Sequence, residues 1–475
     1  MADIPQLHHF IDGRDFTAKA GEERLLSNPA NEVPLWRMPL ATAEIVATAV
    51  AAARKAGDAW AALAPTDRAS ILHRCASQIR SDAEEIARRI TLENGKPVTE
   101  SRVEALITAD EIVAVAELAT QLRTGKQASQ ARSLSFQHAR PRGVVACIMP
   151  WNYPLLTVLS HVFAALSVGN TVVLKPSEKA PNSVLAPVRA LSKILPDGVL
   201  NIVMGDGVAG KELVAHPHVD CVLFVGSQRT GQRVAEECAR HLRPSIMELG
   251  GKDCFIVDAL CDLDRAVPVA LECAMRNAGQ ICTSSERFLV HRSLYPEFAD
   301  RLAKAAARLQ IGPGLEEATQ IGPLIDASQL AIVESHVAGS AAAGAEILTG
   351  GRREAGQGFF YPPTIVADVP ADCALWQDET FGPVAALRPF DDFDEAIAMA
   401  NEGPYGLGAV LFTDSSRHAM QAMDQLDVGL LKVNTAIGIA TGSTWEPAKQ
   451  SGFGYGNGRE LLLSLVHQKS VLWQA

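Results

Sequence analysis

Between residues 143 and 240 the chain alternates short apolar stretches with helical ones, and this pattern constrains the fold more than any other sequence feature. Parallel strands need long crossover connections, because consecutive strands must start at the same edge of the sheet. We therefore predict a doubly wound α/β sheet, whose ligands bind beyond the carboxyl ends of the strands. The predicted strands lie at 144–149, 171–174, 200–203 and 221–224, and the predicted helices at 155–168, 181–194, 208–215 and 229–240.

Composition limits the classes of function. A chain of 475 residues, 48% hydrophobic, is long enough to bury more than one core. Its net charge of −11 and the lack of a basic run argue against nucleic acid as a partner. The nine cysteines are scattered and odd in number, so neither a disulfide framework nor a metal site is predicted. Polar residues interrupt both the N-terminus and the apolar run at 143–169, so we expect a soluble, cytoplasmic protein without a signal peptide or membrane span.

One cysteine, Cys282, lies in a loop of small residues at 277–284, between a helical run and an apolar strand. Glycine before the cysteine and hydroxyl residues after it suit a reachable thiol, with backbone N–H groups nearby that can bind an oxyanion. The alternative is a buried cysteine at a tight turn, since free cysteine is among the most buried residue types. By itself, the loop leaves both interpretations open.

Two glycine-rich turns compete for the phosphates of a dinucleotide. The turn at 205–210 fits Gly-x-Gly-x-x-Gly, follows a strand and opens a helix. However, no convincing acidic residue for a ribose follows about 20 residues later, as that fingerprint requires. The turn at 224–231 also precedes a helix, and Ser227 and its neighbouring N–H groups could receive a pyrophosphate. Simple helix capping remains an alternative for either turn.

Four short motifs together resemble the non-phosphorylating, NAD(P)-dependent aldehyde dehydrogenase superfamily. They occur in family order, and the resemblance extends from about residue 27 to about residue 470. The motifs are Pro-Trp-Asn-Tyr-Pro at 150–154, Glu-Leu-Gly-Gly-Lys at 248–252, Gly-Gln-Ile-Cys-Thr at 279–283 and Glu-Thr-Phe-Gly-Pro-Val at 379–384.

The resemblance implies oxidation of an aldehyde to a carboxylic acid through a thioester on Cys282. The side-chain amide of Asn152 and the N–H of Cys282 would stabilise the oxyanion, and Glu248 would activate the hydrolytic water. Without the resemblance, Glu248 would more often be a surface carboxylate and Asn152 a turn residue. The thiol also needs its pKa lowered to react as a thiolate, by loop N–H groups, a helix end or bound nicotinamide. We find no role for Lys252.

For the cofactor, the resemblance assigns the phosphates to the second turn and places the first near the adenine. Lys175 and Glu178 would bind the adenosine ribose, and a carboxylate at 178 would repel a 2′-phosphate, which favours NAD while leaving NADP possible. A surface salt bridge is the alternative for this pair. Glu379 would bind the nicotinamide ribose. The complete predicted cofactor set is Trp151, Lys175, Ser177, Glu178, Gly207, Gly226, Ser227, Leu249, Gly250, Glu379 and Phe381.

Two alternatives to the hydrolytic enzyme remain. A relative that passes the acyl group to coenzyme A would share the scaffold, but such relatives usually lack a carboxylate at the position of Glu248. A non-catalytic binding or structural protein could retain the fold, although the intact set of Cys282, Glu248, Asn152 and Glu379 argues against this. We therefore favour water as the acyl acceptor.

The predicted organisation has three parts. A Rossmann-type NAD-binding domain spans 1–122 and 142–249, an α/β catalytic domain spans 250–450, and a β oligomerisation arm with a tail spans 123–141 and 451–475. The alternating segment at 131–141 resembles part of the family's arm, which pairs with a neighbouring subunit, and its partner would be the strand-like segment at 469–473. An open strand edge presents unpaired backbone N–H and C=O groups that can bond to another chain, so we expect a homodimer or a homotetramer.

The segment at 443–458 departs from the family pattern, so the substrate cannot be transferred by analogy. Here Glu446, Pro447 and Ala448 replace small glycines. One hypothesis is that Trp445 and Phe453 line an apolar tunnel and that Glu446 binds a cationic aldehyde. A rigid surface loop with a solvated Glu446 is an equally acceptable interpretation.

Overall fold

The computed structural model describes residues 4–17, 22–122, 128–130, 133–353, 356–436 and 442–474. The strands are β1 (His9–Ile11), β2 (Arg14–Phe16), β3 (Glu23–Ser27), β4 (Pro34–Pro39), β5 (Ala128–Gln130), β6 (Ser133–Pro141), β7 (Val144–Ile148), β8 (Thr171–Lys175), β9 (Leu200–Ile202), β10 (Cys221–Val225), β11 (Ser245–Glu248), β12 (Asp253–Val257), β13 (Ser285–His291), β14 (Glu346–Thr349), β15 (Thr364–Ala367), β16 (Val384–Phe390), β17 (Tyr405–Gly406), β18 (Gly408–Phe412), β19 (Leu430–Val433), β20 (Ala448–Lys449), β21 (Gly452–Phe453) and β22 (Val466–Gln474).

The helices are α1 (Ala43–Ala62), α2 (Pro65–Ser81), α3 (Ala83–Asn94), α4 (Val98–Thr120), α5 (Leu156–Ser167), α6 (Asn182–Leu191), α7 (Gly207–Ala215), α8 (Gln228–Arg240), α9 (Leu263–Met275), α10 (Tyr295–Ala306), α11 (Ala327–Ala342), α12 (Ala374–Gln377), α13 (Phe393–Ala400), α14 (Ser416–Gln425) and α15 (Gly458–Ser464). A 3₁₀ turn at Arg276–Gly279 follows α9. No helix in the described ranges is both long and apolar enough to cross a membrane.

The first sheet is the predicted doubly wound sheet. Its order is β2-β1-β9-β8-β7-β10-β11-β21, and the five strands from β9 to β11 are parallel. The chain winds outward from β7 in both directions, so the switch point lies between β7 and β10, where ligands of such sheets bind. Every residue of β7 and β8 is buried. Consecutive residues of β7, such as Val145 and Ala146, point to opposite faces and belong to different cores, as expected when helices cover both sides of the sheet.

The second sheet has the order β14-β15-β16-β13-β12-β18-β19 and is parallel except for β14 at one edge. Its core is separate from those of the first sheet and contains the stacked rings of Phe255 and Phe288. These two sheets confirm the predicted α/β class. The predicted boundary at 249/250 falls between β11 of the first sheet and β12 of the second. The division into domains remains a prediction, and β21 from the predicted tail pairs with β11 of the first sheet.

The predicted arm forms a small separate sheet in which β6 pairs antiparallel with β22. The pairing joins Val466 to Pro141 at one end and Gln474 to Ser133 at the other, so the two segments singled out in the sequence are partners within one chain. Residues 131 and 132 of the predicted segment lie outside the described residues. Leu472 and Trp473 on β22 are exposed.

Candidate active site

A cavity of about 640 Å³ lies at the carboxyl ends of β7, β10 and β11 and continues to the Cys282 loop. All three predicted catalytic residues, Cys282, Glu248 and Asn152, line it. Seven of the predicted cofactor residues line it too, namely Trp151, Gly226, Ser227, Leu249, Gly250, Glu379 and Phe381. The other four, Lys175, Ser177, Glu178 and Gly207, lie outside this cavity at the ends of β8 and β9 and at the start of α7.

The Cys282 loop is held by a tight left-handed turn. Asn277, Ala278 and Gly279 have φ values of 51°, 52° and 70°. A Cβ on Gly279 would lie 2.0 Å from the carbonyl oxygen of Gly382, so only glycine fits there. Such a conformation costs of order 1 kcal/mol or more for each non-glycine residue, so the surrounding structure must hold it.

The amide of Asn152 faces this loop. The side-chain Nδ2 donates to the backbone carbonyl of Gln280 at 3.1 Å. The backbone carbonyl of Asn152 accepts from Lys96 Nζ at 2.7 Å. An asparagine amide has two N–H groups, so one remains for a substrate oxygen. Among the described residues, the backbone N–H of Cys282 is not used in a hydrogen bond. Two donors are therefore available near the sulfur.

A buried ion pair positions Asn152. Lys96 and Glu104 are almost wholly buried and lie 2.6 Å apart. Besides binding Lys96, Glu104 accepts hydrogen bonds from the N–H groups of Leu155 and Leu156, where α5 begins. The pair thus links α3 and α4 to the loop that carries Asn152. The sequence analysis did not identify either residue, because only the folded chain brings positions 96, 104 and 152 together.

Glu248, the last residue of β11, is buried and bonded to a histidine. Nε2 of His161 lies 2.8 Å from Oε1 of Glu248, and Nδ1 of His161 lies 2.7 Å from the carbonyl of Thr157. A carbonyl can only accept, so Nδ1 carries a proton and a single proton is shared between Nε2 and Oε1. Burial opposes protonation of His161, but Glu248 and these hydrogen bonds outweigh it, so the pKa of His161 is raised. The sequence analysis missed His161, because nothing in its local pattern marks it.

Cys282 is a protonated thiol in the enzyme without cofactor. Burial of the thiol, followed by the charges of Glu248, Asp253 and Glu379, raises the pKa of Cys282 to about 12, while Lys432 opposes the shift. The folded chain by itself therefore does not supply the lowering that reactivity needs, and lowering by bound nicotinamide stays a prediction. Burial disfavours the thiolate most, the charges of Glu248, Asp253 and Glu379 add to this, and loop N–H groups alone do not compensate.

Glu379 is held by the motif that precedes it in the chain. It accepts from the N–H of Gly251 at 3.1 Å, and a Cβ on Gly250 would lie 2.6 Å from its carboxylate. Burial, together with the nearby Glu286, raises the pKa of Glu379 to about 8. Glycine at position 250 is thus required for this contact.

Lys252, for which the sequence suggested no role, anchors the Glu379 segment. Its Nζ forms a buried ion pair with Glu286 and also donates to the hydroxyl of Thr380 at 3.1 Å. Glu286 accepts in turn from the N–H groups of Thr380 and Phe381, each at 2.8 Å. Lys252 therefore positions residues 379–381 and takes no direct part in the site.

The two glycine-rich turns differ at their helix starts. At α7 the carboxylate of Asp206 caps the helix, accepting from the N–H of Val208 at 2.9 Å. At α8 the first residue outside the helix, Ser227, makes no capping hydrogen bond, and its side chain is exposed. An anion fits the uncapped N-terminus of α8 better than one already capped by a carboxylate. The capping difference favours the second turn, and the position of the phosphates remains a prediction.

At the end of β8, Lys175 donates to the carbonyls of Pro176 and Gly205 and lies 3.7 Å from Glu178. Glu178 also lies 3.6 Å from Arg24, an arginine on β3 that the sequence analysis did not consider. Both partners of this second pair are partly exposed, so their attraction is weak. The carboxylate of Glu178 and the guanidinium of Arg24 are therefore neighbours at the predicted binding site of the adenosine ribose.

The unusual C-terminal segment agrees only in part with its prediction. Trp445 is buried and lines the cavity, where it packs with Leu430 and Leu407 against Cys282. Glu446 is exposed and is not among the cavity residues, and Phe453 is half exposed on β21, paired with β11. Neither Glu446 nor Phe453 lines the cavity, so the structure does not support a contact of either with the aldehyde; Phe453 is held away by its pairing with β11.

Comparisons with known proteins identify the family. A sequence profile of the Aldehyde dehydrogenase family matches residues 16–471. The chain is 36% identical over 450 residues to succinate-semialdehyde dehydrogenase [NADP(+)] GabD of Escherichia coli (strain K12), covering 94% of this chain and 93% of that one. It is 34% identical over 469 residues to betaine aldehyde dehydrogenase of Vibrio vulnificus (strain CMCP6), covering 98% and 96%. The NAD⁺ complex of an aldehyde dehydrogenase from Bacillus cereus superposes with a TM-score of 0.96 at 33% identity, covering 99% and 96%.

The raised pKa of the cysteine gives a first prediction. Without cofactor, alkylation of Cys282 by iodoacetamide should accelerate about tenfold per pH unit between about pH 7 and pH 10, because a pKa of about 12 keeps the sulfur protonated throughout. Mass spectrometry of the tryptic peptide 277–287, in which Cys282 is the single cysteine, measures this rate. The same peptide in denatured protein should level off near an ordinary thiol pKa of roughly 8.5. A plateau at that pH in the native enzyme would contradict the prediction.

Proposed function

Because this chain belongs to the aldehyde dehydrogenase family and is an NAD(P)-dependent enzyme that oxidises aldehydes to acids, we propose that it works through a thioester on Cys282 that water hydrolyses. The observation that carries the proposal is that Cys282, Asn152 and Glu248 line a single cavity. A nucleophile, an oxyanion donor and a base within one enclosed space are the groups that acyl transfer to water requires.

In the first step the Cys282 sulfur attacks the aldehyde carbon, and the carbonyl oxygen becomes an oxyanion. The free N–H of Asn152 and the N–H of Cys282 would stabilise this charge, and losing one such donor typically costs about 100- to 1000-fold in rate. NAD(P), when bound, accepts the hydride that leaves the tetrahedral carbon. The acyl carbon is then bound to the Cys282 sulfur as a thioester. The proton of the thiol has been transferred to solvent or to a carboxylate.

In the second step Glu248 takes one proton from a water molecule. The water oxygen bonds to the acyl carbon, the carbon–sulfur bond breaks, and its electron pair returns to Cys282. We propose that His161 is the positioning residue for this base: its bond to Oε1 keeps the other carboxylate oxygen available for water. Among the described residues, this is the one hydrogen bond that the Glu248 side chain makes.

The residues of the site fit a dinucleotide. The uncapped N-terminus of α8, with Gly226 and Ser227 at the cavity, would hold the phosphates, and Glu379 would hold the nicotinamide ribose. Trp151 and Phe381, which contact each other edge to face at 5.5 Å, would flank the nicotinamide end. Lys175, Ser177 and Glu178 would meet the adenosine ribose, and Gly207 the adenine. We retain NAD as the favoured cofactor, with NADP possible.

Assembly into a homodimer or homotetramer and a cytoplasmic location also belong to this proposal. The sheet order β22-β6-β5 leaves an outer edge of β22 without a strand among the described residues, and Leu472 and Trp473 on it are exposed. The nine cysteines are all free, which suits a reducing compartment.

The main test is NADH formation from a panel of aldehydes, with and without coenzyme A. Wild-type enzyme should turn over without coenzyme A, and Cys282→Ala should lose at least about 1000-fold of this activity, because no thioester can form. Glu248→Gln should release one NADH per site in a burst, followed by hydrolysis slowed by about 100- to 10,000-fold. Turnover that requires coenzyme A would instead establish the acylating alternative. NAD binding without NADH from any aldehyde would leave either a substrate missing from the panel or the non-catalytic alternative.

The role of His161 has its own prediction. His161→Gln should preserve the NADH burst but lower kcat by up to about 100-fold with little change in KM, because a misplaced base slows hydrolysis alone. His161→Lys supplies a charged donor and should recover much of kcat. His467→Gln, on exposed β22, is the matched control. An equal loss of burst and steady-state rate, or full activity in His161→Gln, would refute the positioning role.

Cofactor preference should depend on the pair at the adenosine end. Glu178→Ala should raise kcat/KM for NADP by about tenfold or more, because it removes a like charge and frees Arg24 for a 2′-phosphate. The double variant Arg24→Ala/Glu178→Ala should lose most of that gain while keeping activity with NAD. Steady-state kinetics with both cofactors measure this. Equal NADP kinetics in the single and double variants would exclude a role for Arg24.

A further inference from the structure

Lys432 is a cation inside the catalytic cavity. It lies on β19, and it lines the same cavity as Cys282. Leu430, two residues earlier on the strand, lines the cavity as well, which agrees with the period of two in a β-strand. Lys432 is partly buried, so its ammonium group has lost some of its water. An ammonium in such a place is stabilised by an anion.

The other charged groups that line this cavity already have partners. Glu104 pairs with Lys96, and Glu248 is bonded to His161. Asp110 pairs with Arg80, Arg276 lies 3.6 Å from Glu272, Glu111 accepts from Asn457, and Glu379 accepts from Gly251. Within the described part of the chain, the ammonium group of Lys432 has no carboxylate oxygen within 4.0 Å and makes no hydrogen bond, although the buried Asp253 lies within its electrostatic reach. Lys432 is therefore a cation on the cavity wall with no directly bonded anion among the described residues.

The surroundings of Lys432 indicate what kind of molecule it meets. Leu407, Leu430 and Trp445 form an apolar cluster that packs against Cys282, and this cluster would receive a carbon chain attached to the reacting carbonyl. The charge of Lys432 acts on the Cys282 thiol, whose pKa burial and neighbouring carboxylates raise and this lysine opposes. The ammonium group and the sulfur thus lie within electrostatic reach of each other. A short substrate with a carbonyl at one end and a charged group at the other spans such a separation.

We propose that Lys432 determines specificity by binding an anionic group, a carboxylate or sulfonate, at the end of a short aldehyde opposite its carbonyl. This inference rests on the proposed function, because it takes Cys282 as the point where the carbonyl is bound. It replaces the cationic aldehyde considered from sequence, since Glu446 lies outside the cavity. An aldehyde of this class would also gain from the neighbouring apolar wall.

The test compares three aldehydes of equal chain length: one with a terminal carboxylate, one with a terminal sulfonate and one with a terminal methyl ester. The enzymes are wild type, Lys432→Met and Lys432→Arg, with Lys304→Met on exposed α10 as the control for net charge. Wild type should prefer the anionic aldehydes. In Lys432→Met the ratio of anionic to ester kcat/KM should fall by about 10- to 100-fold, mainly through KM, since a hydrogen bond to a charged group contributes about 1.5–3 kcal/mol. Lys432→Arg should keep most of the preference, and Lys304→Met all of it.

Other outcomes separate this inference from the proposed function. A wild-type preference for the ester, or a parallel loss for all three aldehydes in Lys432→Met, would overturn it. Slower alkylation of Cys282 in folded Lys432→Met, with an unchanged ratio of anionic to ester kcat/KM, would also overturn it and assign the lysine to the thiol alone. In each case the NADH burst with the ester still tests the thioester mechanism by itself. A missing burst with every aldehyde in the wild type would overturn the proposed function, whereas an altered ratio alone concerns Lys432.

Discussion

The ion pair between Lys96 and Glu104 is the interaction on which the catalytic geometry depends. Lys96 holds the carbonyl of Asn152, and Glu104 holds the first N–H groups of α5. That helix carries His161 to Glu248. One buried pair therefore sets both the oxyanion donor and the partner of the base. Removing one member would leave an uncompensated buried charge, which typically costs about 3–5 kcal/mol.

A second buried pair does the same for the other side of the cavity. Lys252 and Glu286 hold the backbone of Thr380 and Phe381, and so place Glu379 beside Gly251. Each pair holds a segment that is distant from it in sequence, and each is satisfied by several hydrogen bonds. Such pairs are costly to form and gain their value by selecting one arrangement of the loops. In this protein the selected arrangement is the one that gathers the reactive groups.

The electrostatics of the cavity favour the protonated thiol of Cys282. Burial of the sulfur is the largest cause, followed by the charges of Glu248, Asp253 and Glu379. Lys432 opposes the shift without overcoming it, so a thiolate would need a further positive charge in the cavity. Glu248 and Glu379 are also the groups that we propose for base catalysis and cofactor binding, so the low reactivity expected of the free thiol follows from groups that the later steps need.

Local sequence determined the elements of this protein and the identity of its principal residues. Apolar runs and helical periodicity placed the strands and helices between 144 and 240 to within a few residues, and the four motifs marked Cys282, Asn152, Glu248 and Glu379. These predictions succeed because periodicity and short motifs are local properties of the sequence. Tertiary structure alone decided which groups meet at the site. It pairs His161 with Glu248 and Lys96 with Glu104, and it places Lys432 in the cavity and Glu446 outside it. It also decided that the Cys282 thiol is protonated, since burial and the charges of distant segments act only once the chain has folded.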